Sequence, residues 1–416
     1  MFLLELLQNS RYVQYLSALS AGIAPLIFST LTSWPSPSLP LLTSVNSPIG
    51  ITLSNEEASW VTASLFLGMI PGSIVQGLLF DKLGPKGVLI LSSVVLLIPW
   101  ILIVFAQSIW LLVVGRFIGG IGASIAMSST PIYVCEIASK DIRGILGVIP
   151  AFTSIIGVIA VYSIGPFVSY ITLASICVIF PLLQLFSLLF APNSPYFLLK
   201  NGREEDAKKN LVRLCGSSTS TDQIDEMLRE MNETLERDTG HKSLTELLLT
   251  LNFRKSLLVV LVLLSGLLID RMGRKLLFSI SAFGACVSLL GEGTYFYLQG
   301  KVNLESVNFL PITFLTLYRI LISLGISYLP YFIIGELFTM DTKKIGTLIF
   351  SCYAGIIGFL NSKLFSTVTS AWGLYTACWF FAGVCALGVL FGVYFIPETK
   401  GKTFADIQDS LSSRKK

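Results

Sequence analysis

Acidic and basic side chains recur at the same spacing in two distant parts of this sequence. In the stretch PIYVCEIASKDIRG, Glu136 stands seven residues before Arg143, and in PYFIIGELFTMDTKKIG, Glu336 stands seven residues before Lys343. A carboxylate and a cation can form an ion pair, which contributes about 0–1 kcal/mol when it is exposed to solvent. The chemistry that these residues indicate is therefore weak, reversible ion pairing.

A second motif recurs in the same order. GLLFDKLGPK (Gly77–Lys86) returns as GLLIDRMGRK (Gly266–Lys275), again with acids and bases at matching positions. One such pair could arise by chance, whereas two pairs in order indicate that the chain consists of two related halves. Related halves with a site between them are typical of membrane carriers that rock between two states.

Residue types for other kinds of chemistry are scarce. The only histidine, His241, lies in a charged stretch, where a solvated surface position is typical. The sequence contains no G-x-S-x-G motif, no phosphate-binding loop and no metal-ligand spacing, and its cysteines show no C-x-x-C pattern. We therefore expect no enzymatic activity, no cofactor and no metal. The lack of a basic patch and of a filter-like sequence argues against nucleic-acid binding and channel activity.

The elements that position these motifs are apolar helices. The chain is 53% hydrophobic and 13% charged, with a mean hydropathy of +0.75. A soluble protein cannot bury that much apolar surface, so lipid must cover it. The apolar residues form blocks of about 20, the length of a membrane-spanning helix rather than of a barrel strand. The sequence predicts an all-α membrane protein.

Eleven apolar segments can be marked on the sequence. They are Val13–Trp34, Trp60–Phe80, Val88–Phe105, Leu111–Tyr133, Ile145–Ile164, Val168–Phe190, the short Ser256–Ile269, Leu276–Leu298, Leu310–Gly335, Ile345–Thr367 and Trp372–Ile396. The loop from Pro35 to Ser59 has no Lys or Arg, whereas the alternate loops carry basic residues. The positive-inside rule therefore predicts cytosolic N- and C-termini. The stretch from Lys200 to Lys255 has helical spacing of apolar residues (Ile224, Met227, Met231, Leu235), which predicts short amphipathic helices on the cytosolic face.

The two halves have unequal lengths. From Val13 to Asp81 is 68 residues, but from Arg254 to the matching Asp270 is only 16, a deficit of 52. Both ends of the short segment are expected in the cytosol, and a single crossing cannot begin and end on one side. The segment could enter the membrane and return to the same side, the second half could be inverted, or the chain could be an internally deleted form. We favour the deletion.

The chain resembles the sugar porters of the major facilitator superfamily, the family of facilitative glucose transporters, and especially its trehalose-transporter-like branch. The resemblance covers nearly the whole chain. The motifs that carry it are WPSPSLP (34–40), FDKLGPK, GRFIGGIG (115–122), PIYVCEIASKDIRG, PNSP (192–195), DRMGRK and PETKGKTF (397–404).

The resemblance implies the major facilitator fold, with two six-helix-type halves of which the second is incomplete and about 11 apolar segments in all. The implied domains are residues 1–192 for the N-terminal half, 193–253 for a cytosolic helical linker, 254–397 for a C-terminal half largely lacking the seventh helix, and 398–416 for a cytosolic tail. The family's location implies a multi-pass protein of the plasma membrane.

In this family, charged residues at cytosolic helix ends are expected to form ion pairs. These pairs hold the two halves together on the cytosolic side while the carrier is open to the outside. The positions that match are Asp81, Lys86, Glu136, Arg143, Asp270, Arg274, Lys275, Glu336, Lys343 and Glu398. A network of several weak pairs could shift a two-state equilibrium by a few kcal/mol. The alternative is that these charges only determine which side of the membrane each loop occupies.

Several positions depart from the family pattern. Asn193 and Tyr196 replace an acid and a base of the family's PESPR, and Ala151 stands where glucose transporters carry a sugar-binding Gln. Nothing in residues 250–270 matches the paired glutamines of the seventh span. Sugar binding needs several fixed donors and acceptors. The remaining candidates for it are Thr153, Ser154, Ser327, Tyr328 and Tyr331, whose alternative role is packing.

Two arginines lie within apolar segments. Arg319 is about nine residues into its segment, and such a charge usually faces a polar cavity or a partner. Arg116 lies near the outer end of its span in the GRF pattern, where a tether between helices is expected. The nearby Gly115, Gly119 and Gly122 are expected to allow close helix approach.

The leading hypothesis is a carrier for facilitated diffusion of a sugar, a hexose or trehalose, by alternating access. The first span contains no acid that could carry a proton, so we expect that replacing Gln14 or Ser17 changes little. The expected partners are the sugar and the lipid bilayer, and the oligomeric state is left open. The alternative is a transport-inactive truncated isoform that acts as a sensor, as a partner of a full-length carrier, or not at all.

Overall fold

The structure is a computed structural model that describes residues 12–139, 142–216, 221–238, 274–299, 301, 307, 310–325 and 340–395. Over these ranges the chain is almost entirely helical and contains no β-strand. This confirms the prediction of an all-α protein. The short apolar segment 256–269, whose topology decides whether a helix is missing, lies outside the described residues.

Thirteen α-helices can be described. They are α1 Tyr12–Ser33, α2 Pro35–Leu42, α3 Asn55–Val104, α4 Ile109–Ile137, α5 Arg143–Ile164, α6 Tyr170–Phe190, α7 Pro195–Lys200, α8 Glu204–Cys215, α9 Thr221–Asp238, α10 Arg274–Gln299, α11 Leu310–Gly325, α12 Met340–Trp372 and α13 Leu374–Phe395. The apolar segments predicted over these ranges all fall on helices. The short helix α2, in the loop that precedes α3, was not predicted.

The helix α3 covers two of the predicted segments. Its 50 residues would make about 75 Å of helix, more than twice the ~30 Å hydrocarbon core of a bilayer. The helix is interrupted at Gly84, which has a φ of 69° and a ψ of 171°. α3 therefore provides two crossings joined by a tight turn, as the sequence predicted from Trp60–Phe80 and Val88–Phe105.

Six helical stretches in the described part of the chain are long and apolar enough to cross a membrane. They are Tyr12–Leu42, Asn55–Val104, Ile109–Ile137, Ile145–Phe167, Tyr170–Phe190 and Ile345–Trp372. A helix satisfies most of its backbone hydrogen bonds internally, as lipid requires. These helices support a multi-pass membrane protein.

The chain forms two compact units. The first contains residues 1–247 and 334–359, and the second contains residues 248–333 and 360–416. The units group residues by packing, so the predicted domain boundaries stay a prediction. The linker helices α7–α9 and the first part of α12 pack within the first unit.

In the first unit, α3 and α4 approach each other at glycines. A Cβ added at Gly120 would lie 1.9 Å from the Leu65 carbonyl oxygen, and one at Gly68 would lie 1.9 Å from the Phe117 oxygen. A Cβ added at Gly115, Gly119 or Gly122, which the sequence indicated, would lie 2.8–3.2 Å from the nearest side-chain atom instead. All these glycines bring helices together, but the tightest contacts are at Gly68 and Gly120.

The linker helices form their own small core. Leu198, Ala207, Leu211, Ile224 and Leu228 are buried against one another. Met231 packs at the edge of this cluster, whereas Met227 is 37% exposed. Helices α8 and α9 therefore lie within the stretch where amphipathic helices were predicted, with Leu228 rather than Met227 as a buried anchor of α9. Their placement on the cytosolic face stays a prediction.

In the second unit, α10 packs against α11 and α13. The Ser281 hydroxyl donates a hydrogen bond to the Leu321 carbonyl at 2.6 Å. The ring centres of Tyr297 and Trp379 lie 5.4 Å apart, and the Tyr375 ring meets both in edge-to-face contacts. An aromatic cluster therefore joins α10 to α13 at one end.

Candidate functional site

The turn within α3 carries the first predicted charges. The Lys86 ammonium donates to the Ala191 carbonyl at 2.6 Å and to the Leu189 carbonyl at 3.4 Å. These carbonyls close the C-terminal end of α6, where a cation is favoured by the helix dipole. Asp81 lies 3.7 Å from the Lys200 ammonium at the end of α7, with both side chains about half exposed. This ion pair belongs to the weak, exposed class.

Gly84 lets a linker helix approach this turn. Its positive φ suits glycine, and a Cβ added there would lie 2.7 Å from the ring of Phe197 in α7. A short helix can therefore rest directly on the backbone of the turn.

The helix α8 holds the same end of α6 from the other side. The Arg213 guanidinium donates to the Phe190 carbonyl at 2.6 Å. The backbone N–H of Asn193 donates to the Asn210 side-chain oxygen at 3.1 Å. The acid that Asn193 replaces in the family pattern is therefore not needed to attach this segment, since its backbone makes the contact.

The start of α1 is attached in the same way. The buried Gln14 side chain donates to the Leu214 carbonyl at 3.0 Å and accepts from the Ser139 N–H at 2.9 Å. The Tyr133 hydroxyl, on α4, donates to the Pro192 carbonyl at 2.8 Å. Gln14, Asn210 and Arg213 thus join α8 to the start of α1 and to the end of α6, whereas Lys86 and Tyr133 join α3 and α4 to the end of α6 and the residues that follow it. We call these five side chains the brace.

The brace consists of hydrogen bonds from neutral or cationic groups to backbone atoms rather than of ion pairs. Such bonds contribute about 0.5–1.5 kcal/mol each, and more when the donor is charged. All of its members lie in the first unit, and together they make one end of that unit a single connected body.

The predicted ion-pair network is only partly described. Glu136 is buried in the last turn of α4, at 7% exposure. Of Arg143, Arg274, Lys275 and Lys343 the helix backbone is described but not the side chain. Asp270, Glu336 and Glu398 lie outside the described residues. The network therefore stays a prediction.

The predicted sugar contacts of α5 face α1. The Thr153 hydroxyl lies within hydrogen-bond reach of the Gly22, Ile149 and Pro150 carbonyls, the first at 2.5 Å. The Ser154 and Ser29 hydroxyls lie 2.5 Å apart. These bonds join α1 to α5 in this conformation. Ser327, Tyr328 and Tyr331 lie outside the described residues.

Arg116 is completely buried and bonds to backbone carbonyls. Its guanidinium donates to the Val61 carbonyl at 3.2 Å and to the Leu31 carbonyl, and it lies 5.6 Å from the Trp34 ring centre. A cation–π contact of this kind offsets part of the cost of burying the charge. The side chain joins the C-terminal part of α1 to the first turns of α3. The side chain of Arg319, in α11, is not described.

Sequence reasoning missed most of the brace. Gln14 was expected to tolerate replacement, yet it makes two buried hydrogen bonds. Its signal was a polar amide near the start of an apolar span. Arg213 and Asn210 gave no such signal, because they are two among many polar residues of a charged stretch. In the described part of the chain, no group of His, Cys, Asp and Glu is arranged to hold a metal ion.

The first comparison uses the sequence. The profile of the family described as "Sugar (and other) transporter" matches residues 38–267 and 256–411. "Facilitated trehalose transporter Tret1" of Polypedilum vanderplanki is 27% identical over 450 residues, covering 97% of this chain and 89% of that protein. Proteins of the same name from Drosophila grimshawi and Aedes aegypti are 27% and 24% identical, and the chain spans about half of their length, 48% and 56%.

The second comparison uses the fold. The structure described as the major facilitator proton:xylose symporter XylE bound to 6-bromo-6-deoxy-D-glucose has a TM-score of 0.74 at 21% identity, covering 97% of this chain and 99% of that one. A partially occluded inward-open XylE from E. coli gives 0.71 at 20% identity, covering 94% and 100%. At these identities the likeness concerns the fold. The chain has the major facilitator fold, and its sequence places it in the sugar transporter family.

Proposed function

We propose that the protein carries a sugar, a hexose or trehalose, across the plasma membrane by facilitated diffusion with alternating access. The observation that carries the proposal is the match over 97% of the chain to relatives named facilitated trehalose transporters. The family assignment restricts the substrate class, and the fold is one that alternates between two states.

The brace supports the proposal physically. A carrier of this type needs units that move as rigid bodies. A helical unit is rigid only if the ends of its helices are held together. Lys86 and Arg213 hold the end of α6, while Gln14 and Tyr133 attach α1 and α4 to the linker segment. The predicted ion pairs would then only have to bias the equilibrium between states by a few kcal/mol.

We further propose that no proton is carried with the sugar. Proton-driven transport requires a titratable acid near the middle of the membrane. The helix α1, YVQYLSALSAGIAPLIFSTLTS, contains none. This supports a uniporter rather than a symporter.

The second candidate is a form that does not transport. The alignment to the Polypedilum relative extends over 450 positions, 34 more than the 416 residues of the chain, so at least that many positions have no residue here. The predicted deficit of 52 residues between the halves agrees with a shortened chain. Such a form would act as a sensor or as a partner of a full-length carrier.

Uptake into vesicles tests the two candidates. The purified full chain is reconstituted into liposomes, and entry of labelled trehalose and of labelled glucose is followed against protein-free vesicles. A saturable sugar-dependent flux is expected from a carrier. No flux, alongside flux from a matched chain in which a seventh span is restored, would reject the carrier and favour the inactive form.

A further inference from the structure

An apolar groove lies between α10 and α11 in the second unit. Its volume is about 490 Å³, within the ~300–1,000 Å³ range of ligand pockets. One wall is a single face of α10, formed by Val287, Leu290, Gly291, Thr294, Tyr295 and Leu298. The other wall includes Phe314 of α11, and a Cβ added at Gly291 would lie 2.6 Å from its ring. The helices meet at Gly291, and the unfilled space lies along the same face of α10.

The lining of this groove favours an apolar occupant. The Thr294 hydroxyl donates to the Leu290 carbonyl of its own helix at 2.7 Å, so it is already satisfied. Val287 and Leu290 are 46% and 45% exposed, so the groove opens at the surface of the helices. A water in a cavity needs roughly two to four polar partners, and the described lining offers few. For a chain that lipid must cover, the apolar material in contact with such a surface is an acyl chain.

The length of the groove matches one leaflet of a bilayer. Leu298 follows Val287 by 11 positions, a rise of about 16 Å along a helix. Half of the ~30 Å hydrocarbon core is about 15 Å. The aromatic cluster of Tyr297, Tyr375 and Trp379 lies at the Leu298 end of the groove. Tyrosine and tryptophan are enriched where hydrocarbon meets headgroups, which places that end at the headgroup level.

A lysine stands at the headgroup end of the groove. The Lys301 N–H donates to the Leu298 carbonyl at 2.8 Å, which keeps the residue within one turn of the groove. Its ammonium lies 3.8 Å from the Tyr297 ring centre and donates to the hydroxyl of that residue. None of the ion pairs within the described ranges involves Lys301. An ammonium has three donors, so donors remain for the oxygens of a phosphate.

We propose that this groove binds one glycerophospholipid, with an acyl chain between α10 and α11 and the phosphate on Lys301. The walls pack closely along the acyl chain, and the cation attracts the headgroup. A free phosphate would not fill an apolar groove, and a sugar would leave most of its hydroxyls without partners there. The site goes beyond the proposed transport function and does not depend on it, because no step of transport enters the argument.

Native mass spectrometry of the purified full chain measures the binding. The probes are dioleoylphosphatidylglycerol, which carries a phosphate, and dioleoylglycerol, which has the same acyl chains without it. The unmodified chain is expected to bind a first phosphatidylglycerol more tightly than any further one. A series of adducts in which the first lipid binds no more tightly than the rest would overturn the proposal.

A charge variant tests the phosphate contact. Lys301→Gln is expected to weaken binding of the phosphatidylglycerol about 10-fold, the loss of a charge-assisted hydrogen bond, and binding of dioleoylglycerol less than about twofold. The control is Lys209→Gln on α8, at a side chain that is 73% exposed, and it should change neither. Equal effects of Lys301→Gln on the two lipids would reject the contact with phosphate.

A matched pair of valines tests the groove itself. Val287→Phe narrows the groove, whereas Val384→Phe adds the same ring to a position of α13 that is 51% exposed and lies outside it. The first should weaken binding of both lipids about 5-fold or more, the least that overpacking costs, and the second less than about twofold. Equal affinities of the two variants would reject the groove.

A density map of the unmodified chain in phosphatidylglycerol nanodiscs tests the site without any substitution. We expect elongated density between α10 and α11 that ends beside Lys301. Density in the groove that belongs to another segment of this chain or to a second copy would identify a different occupant and overturn the proposal, as would an empty groove.

Discussion

At the scale of single residues, the structure separates positions that only look similar in the sequence. Gly84 and Gly202 both have a φ of +69°, but a Cβ at Gly84 would meet the Phe197 ring while one at Gly202 would meet nothing within 4 Å. The two glycines therefore share the backbone requirement and differ in the space around them.

We predict that Gly84→Ala destabilises the protein by about 1–3 kcal/mol more than Gly202→Ala does, because only the first adds a steric conflict to the positive φ. Thermal unfolding of the purified chain measures the difference as a lower Tm. Equal Tm values for the two variants would show that Phe197 can move away without cost.

Arg116 offers a second test at this scale. Its guanidinium bonds to two carbonyls from different helices, a geometry that a lysine ammonium does not reproduce. We predict that Arg116→Lys lowers stability by about 1–3 kcal/mol. Arg229→Lys, at an exposed ion pair with Glu233, is the control and should change stability by less than about 0.5 kcal/mol. A small effect at both positions would contradict the tethering role of Arg116.

At the scale of helices, the contact between α3 and α4 depends on glycines, which have no side chain to keep the two backbones apart. The Cβ of an alanine at position 120 would lie 1.9 Å from the backbone oxygen of Leu65, which cannot rotate away. Helices in a membrane are held together mainly by such close packing. A single methyl group must therefore separate the two helices.

We predict that Gly120→Ala lowers the Tm or prevents folding, whereas Gly383→Ala does neither. Gly383 is in α13, and a Cβ there would meet nothing within 4 Å. The control should be neutral or slightly stabilising, since alanine favours a helix by up to about 1 kcal/mol over glycine. Fluorescence-detected size exclusion of both variants compares their folded fractions. A folded fraction of Gly120→Ala equal to that of the control would reject the close contact.

The brace can be tested at the same scale. Gln14→Leu leaves the Leu214 carbonyl and the Ser139 N–H without their side-chain partner, which costs about 1–3 kcal/mol for each group that stays buried. We predict that the attachment of α8 loosens, so that limited proteolysis cleaves the linker helices faster. Tyr12→Phe, at a residue that is 37% exposed, should leave the cleavage rate unchanged. An unchanged rate for Gln14→Leu would mean that the brace does not hold the linker.

At the scale of the whole molecule, the question is whether the chain moves sugar without a proton. The first span lacks an acid, and the brace holds the first unit together without requiring a carboxylate. Both features fit a carrier that follows the sugar gradient alone.

We predict that sugar uptake by reconstituted vesicles changes less than twofold between pH 6 and pH 8, because no acid of α1 titrates. The measurement is the initial uptake rate with equal pH inside and outside. Alkalinisation of the outer medium during sugar entry would show proton cotransport and would contradict the uniporter.

Much of the fold was predictable from the sequence. The apolar blocks from Val13 to Phe190 fall on helices because, in lipid, each helix satisfies its own backbone hydrogen bonds. The turn between Phe80 and Val88 was also marked, since charged residues cannot stay in the hydrocarbon. The short helix α2 was missed because it lies in a polar loop rich in proline.

The sequence by itself determined that this is a helical membrane protein of two related halves, because length, hydropathy and repetition are properties read along the chain. Only the tertiary structure decided that Gln14, Tyr133 and Arg213 act on shared helix ends, and that Gly68 and Gly120 make the tightest contacts between α3 and α4. These facts depend on which helices become neighbours and in what register. Side chains that meet across as many as 279 residues leave no local pattern from which that could be read.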